Sequence, residues 1–133
     1  MDEPTSGLDS FSCYKVIKVL KNLVKTSSTD SPIAIVTTIH QPSSKIFYMF
    51  DQIYAISFNG QCLYANPPLK LVEYLSDFGL LCPNNYNPSD FLIEICCGDQ
   101  GLNKLNELIE AQKLNFIAKH PIESQVKQTE RYV

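Results

Sequence analysis

Tryptophan is absent, and so is any run of about 18 consecutive apolar residues, because polar groups interrupt every hydrophobic stretch after a few positions. The sequence therefore predicts no bilayer-crossing segment of its own. Positive charge is not in excess: eleven Lys and Arg stand against fourteen Asp and Glu, a net −3 that argues against a nucleic-acid or anionic-lipid footprint. No secretory leader is legible, since Met1 is followed at once by Asp2, Glu3 and Pro4 with no basic and no apolar region. A cytosolic chain is the expectation. Nor does any cysteine pair have the Cys-x-x-Cys spacing that grips zinc, and an odd five (Cys13, Cys62, Cys82, Cys96, Cys97) argues against a disulfide framework. Free thiols packed as small apolar groups are expected.

What is present suits one small α/β domain: 133 residues, 44% of them apolar, enough to build a core and to exclude wholesale disorder. From Asp9 onward Cys13, Val16, Ile17, Leu20, Leu23 and Val24 recur with a 3.6-residue period, which predicts an amphipathic helix capped by Asp9 or Ser10 and ended within 26–32. Residues 33–39, Ile-Ala-Ile-Val-Thr-Thr-Ile, form a nearly unbroken β-branched run, the pattern of an interior parallel strand covered on both faces. It ends at His40-Gln41-Pro42, after which Ser43 or Ser44 can cap a short helix reaching Phe50. Asn59-Gly60 between two apolar stretches predicts a hairpin. Helices are expected after Pro67-Pro68, from Ser89-Asp90 to Gly98, and over Leu102 to Ile109, with a polar tail from His120 to Val133.

Two places carry chemistry. Asp2-Glu3-Pro4 sets two adjacent carboxylates before a turn, and in a nucleotide hydrolase such a pair divides two tasks, one organising Mg²⁺ and one orienting water at a γ-phosphate. The bland alternative is a solvated acidic segment. His40, at the end of the expected strand, suits a hydrogen bond to a phosphate oxygen, or simply one to a backbone carbonyl.

Taken together, Asp2 to Ser10, Thr38-Ile39-His40-Gln41-Pro42-Ser43, Asn59-Gly60-Gln61 and Asn87-Pro88-Ser89-Asp90-Phe91 resemble the C-terminal half of an ATP-binding-cassette nucleotide-binding domain, specifically of the G subfamily, the White and sterol-exporter type. The resemblance covers about residues 1–100. It implies a partial P-loop NTPase fold, with residues 1–100 in the nucleotide-binding domain and residues 101–133 as a helical connector toward a transmembrane domain. It also implies roles: Glu3 as the residue that polarises water, His40 as the switch histidine at the γ-phosphate, and Asp2 as the Mg²⁺ organiser, directly or through water. Ser6, Gly7, Leu8 and Asp9 would form the D-loop that couples paired sites. The cofactors implied are ATP and Mg²⁺; the partners are a second nucleotide-binding domain, identical or not, and a transmembrane domain of the same longer chain, with no nucleic acid.

The family's phosphate-cradling G-x-x-x-x-G-K-[ST] pattern has no match, since none of Gly7, Gly60, Gly79, Gly98 and Gly101 begins it. The Leu-Ser-Gly-Gly signature is missing as well. The expectation is therefore a fragment of an ATP-driven exporter of lipid, sterol or similar cargo, a membrane protein on its cytosolic face, with the fragment itself inactive. The alternative is a short interaction module that docks on an intact transporter half.

Overall fold

The computed structural model describes residues 1–28 and 30–119. The polar tail expected from His120 onward lies outside them.

Helix α1, Ser10–Thr26, begins where the Asp9 carboxylate accepts the amides of Phe11 and Ser12, and it buries Cys13 and Ile17 as the apolar period requires. Helix α2 is a single turn, Ser44–Phe47, shorter than the expected run to Phe50. It nonetheless faces two ways: Ile46 packs with Cys13 and Ile17, while Phe47 joins the larger core. Lys21 of α1 reaches across to donate to the Met49 carbonyl and lies 3.3 Å from the Asp51 carboxylate.

Strands β1, Ile53–Ile56, and β2, Cys62–Asn66, pair antiparallel with a register irregularity at Ala55/Ile56. The expected hairpin forms, with Gly60 at φ 80°. Strand β1 stops short of Phe58 because Ser57 closes the loop, its amide donating to the Gln61 carbonyl and its hydroxyl bridging to Asn59 and Gln61. A 3₁₀ turn, Pro68–Lys70, leads into α3, Leu71–Asp77, which ends before Gly79. Helix α4, Pro88–Cys97, starts one residue before Ser89, because Pro88 at its first position suits the fixed φ of proline and Asn87 supplies the cap. It ends at Gly98, in the left-handed region at φ 88°; a Cβ there would also meet Leu102 at 3.2 Å. Helix α5, Leu102–Lys119, packs on β2 and places Leu105, Leu108 and Ile109 in the larger core, so the segment expected as a connector is also a core element.

The main departure is at 33–39. No strand forms there, and Val36 is 81% exposed. The run is held instead by the chain start: the Met1 ammonium donates to the Val36 carbonyl at 2.7 Å, and the Thr38 amide donates to the Met1 carbonyl at 3.1 Å. Two such bonds make one step of a parallel ladder, too few for a strand. The composition anticipated cover on both faces; among the described residues no helix supplies it. The only sheet among the described residues is the antiparallel β1–β2 pair, so the expected parallel strand is corrected to an extended, exposed segment.

Candidate functional site

The first nine residues fold back on the 36–42 segment through polar contacts. Thr38, a polar residue inside an otherwise apolar run, is the pivot: its hydroxyl donates to Asp2 Oδ1 at 2.5 Å and accepts the Glu3 amide at 2.8 Å. Glu3 then takes φ 40°, a left-handed conformation that costs a non-glycine residue roughly 1–2 kcal/mol, and the chain turns through 4–7 with the Ser6 amide donating to the Glu3 carbonyl. Gly7, at φ 74°, carries the turn onward. The thiol of Cys13, buried on α1, lies 3.5 Å from the carbonyls of Thr5 and Leu8 and seats this turn on the helix.

Across from the turn, His40 precedes Gln41, whose φ is 46°. Glu3 and Gln41 are the two non-glycine residues with positive φ among those described, and both stand at this one place. Backbone strain of this kind gathers at functional sites. A cavity of about 210 Å³ opens between the segments, lined by Glu3, Thr5, Ser6, Gly7 and His40. A second, of about 160 Å³, shares Thr5 and His40 and adds Leu8, Cys13 and Gln41.

The structure thus brings Glu3, Ser6, Gly7 and His40 around one cavity and Leu8 to its neighbour. Asp2 stays apart: it lines neither, and one of its oxygens is taken by Thr38. Among the described residues no group of three or more His, Cys, Asp and Glu side chains is arranged to hold a metal ion. Asp9 is committed to α1, its Oδ1 accepting the Phe11 and Ser12 amides and its Oδ2 the Ser12 hydroxyl. These bonds, the Ser12 hydroxyl foremost, hold its carboxyl below the usual range. Thr5, Thr38 and Gln41 stand inside the motif strings but are given no role of their own there; the two threonines near the end of an apolar run are the signal available for Thr38. Of the five thiols, all free, Cys97 is exposed and only Cys13 is buried, so packing as small apolar groups holds for Cys13 and not for Cys97.

Residues 40–122, more than half of the chain, match the family model of the ABC-2 type transporter. The chain belongs to that membrane-transporter family. Among similar proteins, protein white of Drosophila melanogaster is 43% identical over 94 residues, covering 71% of this chain and 13% of that protein. A probable ATP-dependent permease of Saccharomyces cerevisiae is 43% identical over 103 residues, 76% of this chain and 9% of its own length. The ABC transporter G family member 13 of Arabidopsis thaliana is 33% identical over 115 residues, 86% of this chain and 16% of the relative. The chain therefore spans about an eighth of the length of the first of these.

This match corrects two expectations. The chain is assigned to the ABC-2 membrane family and not to a nucleotide-binding domain, and the partial P-loop NTPase fold is withdrawn with it. The physical reason is one of extent. Asp2 to Ser10, which hold every site residue of the resemblance except His40, precede the matched segment, and short acidic or His-Gln-Pro strings weigh less than a continuous match over 40–122. Membership of a membrane-transporter family likewise displaces the expectation of a cytosolic chain, although no helix of the described residues is long and apolar enough to cross a membrane.

Proposed function

We propose that this chain is part of a G-group ABC exporter, working at the membrane together with a nucleotide-binding domain and moving lipid, sterol or similar cargo. The family match and the G-family relatives support the transporter class. In this reading the Glu3–His40 cavity faces the terminal phosphate of an ATP whose remainder is held elsewhere in the transporter. One observation carries it: Glu3 and His40, 37 positions apart in sequence, line one small polar cavity with Thr5, Ser6 and Gly7.

The fit is to a phosphoryl end and not to a whole nucleotide. No glycine-lysine cradle exists in the sequence, and the donor set is one carboxylate, two hydroxyls and one imidazole. His40 would donate to a phosphate oxygen, and Glu3 would accept from a water beside it. Mg²⁺, bound with ATP, would offset phosphate charge; Asp2 would bear on it through water, its other oxygen being engaged by Thr38. Ser6 to Asp9 would meet a second, paired unit along their exposed side.

Installed in the full-length transporter, Glu3→Gln and His40→Ala each lower ATP-driven export by about 100-fold, the usual scale for losing one proton-handling group. Unchanged export in both variants, with normal assembly, would refute the reading. The isolated chain, titrated with Mg²⁺ and ATP by calorimetry, shows no tight site; micromolar affinity there would contradict the placement of the nucleotide's main contacts elsewhere.

A further inference from the structure

The turn that presents His40 is held from outside its own segment. Asn87, in the loop before α4, donates through Nδ2 to the Pro42 carbonyl at 3.1 Å. The hydroxyl of Ser89, a residue only 3% exposed, donates to that same carbonyl at 2.8 Å. Asn87 Oδ1 meanwhile accepts the Ser44 hydroxyl at 2.8 Å and the Ser89 amide at 3.3 Å. Pro42 thus has its carbonyl fixed by two donors more than 40 positions away in sequence, immediately after the left-handed Gln41.

A left-handed conformation at a non-glycine residue persists only where its surroundings over-determine it. Gln41 is exposed, so burial does not impose that state. We infer that Asn87 and Ser89 are positioning residues for His40: their two hydrogen bonds to Pro42 lock the His40-Gln41-Pro42 turn and so aim the imidazole into the cavity with Glu3. The clamp joins the two parts of the core. Asn87 and Ser89 belong to α4 and its cap, α4 packs in the larger cluster, and His40 borders the smaller one through Ile39 and Ile46. A shift of α4 is therefore transmitted to the His40 turn through the Pro42 carbonyl. The inference rests on the cavity being the functional site, but its test does not.

The test is nuclear magnetic resonance on the full chain, isotopically labelled, comparing Asn87→Asp, Ser89→Ala and Ser44→Ala. Asn87→Asp keeps the acceptor that caps α4, removes the donor to Pro42 and adds a negative charge. Ser89→Ala removes the second donor without changing charge. Ser44→Ala removes a bond to Asn87 that does not touch Pro42. A positive φ at Gln41 gives a strong cross-peak between its own amide and Hα. That cross-peak weakens severalfold in Asn87→Asp and Ser89→Ala, with movement of the His40 ring signal, and stays in Ser44→Ala, while thermal unfolding shifts by no more than a few degrees. An unchanged Gln41 cross-peak in both donor variants overturns the inference, as does an equal loss in Ser44→Ala. Should either donor variant unfold, the other decides on the same readout. If the clamp variants behave as expected while Glu3→Gln and His40→Ala leave export intact, the phosphate reading fails and the clamp stands.

Discussion

The Asp9 carboxylate accepts three hydrogen bonds at the start of α1 and is fully exposed, so its contribution is a charged cap and no burial. Its carboxyl is held below the ordinary 3.8, chiefly by the Ser12 hydroxyl. A carboxylate depressed on folding stabilises above its unfolded value and loses that contribution as pH falls through the folded one. Amide-exchange protection of residues 10–14 therefore stays level from neutral pH down to about 4 and declines below it. Asp9→Asn retains the protection and flattens its pH dependence, because Asn caps as well without a charge to lose; a decline that persists in Asp9→Asn would place the titration elsewhere. At the alkaline end, burial pushes the Tyr64 phenol up to about 12, with Tyr74 adding to it, while its hydroxyl donates to the Pro67 carbonyl. The neutral phenol is the folded form, so the Tyr64 contribution to stability is whole below pH 10 and drains as pH climbs from there toward 12. Tyr64→Phe removes its own share of the alkaline loss, so the fall in melting temperature between pH 10 and 12 is shallower than in the unmodified chain; an unchanged slope would contradict this. Among the thiols, burial pushes Cys96 up to about 12 while Cys97 is exposed, so an alkylating reagent takes Cys97 first and Cys96 at least about tenfold more slowly.

Elements were legible wherever a local signal and a tertiary partner agree. The α1 period with Asp9 before it, the Asn59-Gly60 turn, and Gly98 after α4 each appear where the residues place them. Leu108 of α5, fully buried, shows what such agreement is worth: Leu108→Ala lowers unfolding free energy by about 3 kcal/mol in urea, within the range for large-to-small core changes. A loss under about 1 kcal/mol would remove α5 from the core. The misreading at 33–39 has a definite cause. An apolar, β-branched run reports a wish for cover and not its presence, and a strand also needs a ladder, of which Met1 supplies one step. The site was half legible for the same reason. Glu3 and His40 stand out by chemistry, and Gly7 by its freedom in a turn. The sequence cannot show that Thr38 engages one oxygen of Asp2, and the part Asn87 plays at Pro42 was invisible because its hydrogen bonds cross more than 40 positions.

At the scale of the molecule, two apolar clusters of unequal size share the chain, a large one over β1, β2, α3, α4 and α5 and a small one under α1, touching through α2. The small cluster lines the neighbouring cavity through Cys13, Ile39 and Ile46, and the Glu3–His40 cavity adjoins that one at Thr5 and His40. Few buried contacts mean easy local opening, so amides of residues 1–39 exchange faster than those of β2 and α5, and the site is built on the more yielding part. The central claim is that Glu3 and His40 act on one phosphoryl group. A double-mutant cycle on ATP-driven export, with Glu3→Gln, His40→Ala and the pair in the full-length transporter, tests it most directly. Residues serving one group give a pair scarcely worse than the more damaging single variant. Export losses that multiply as if the two sites were independent, or no loss at all, would contradict it.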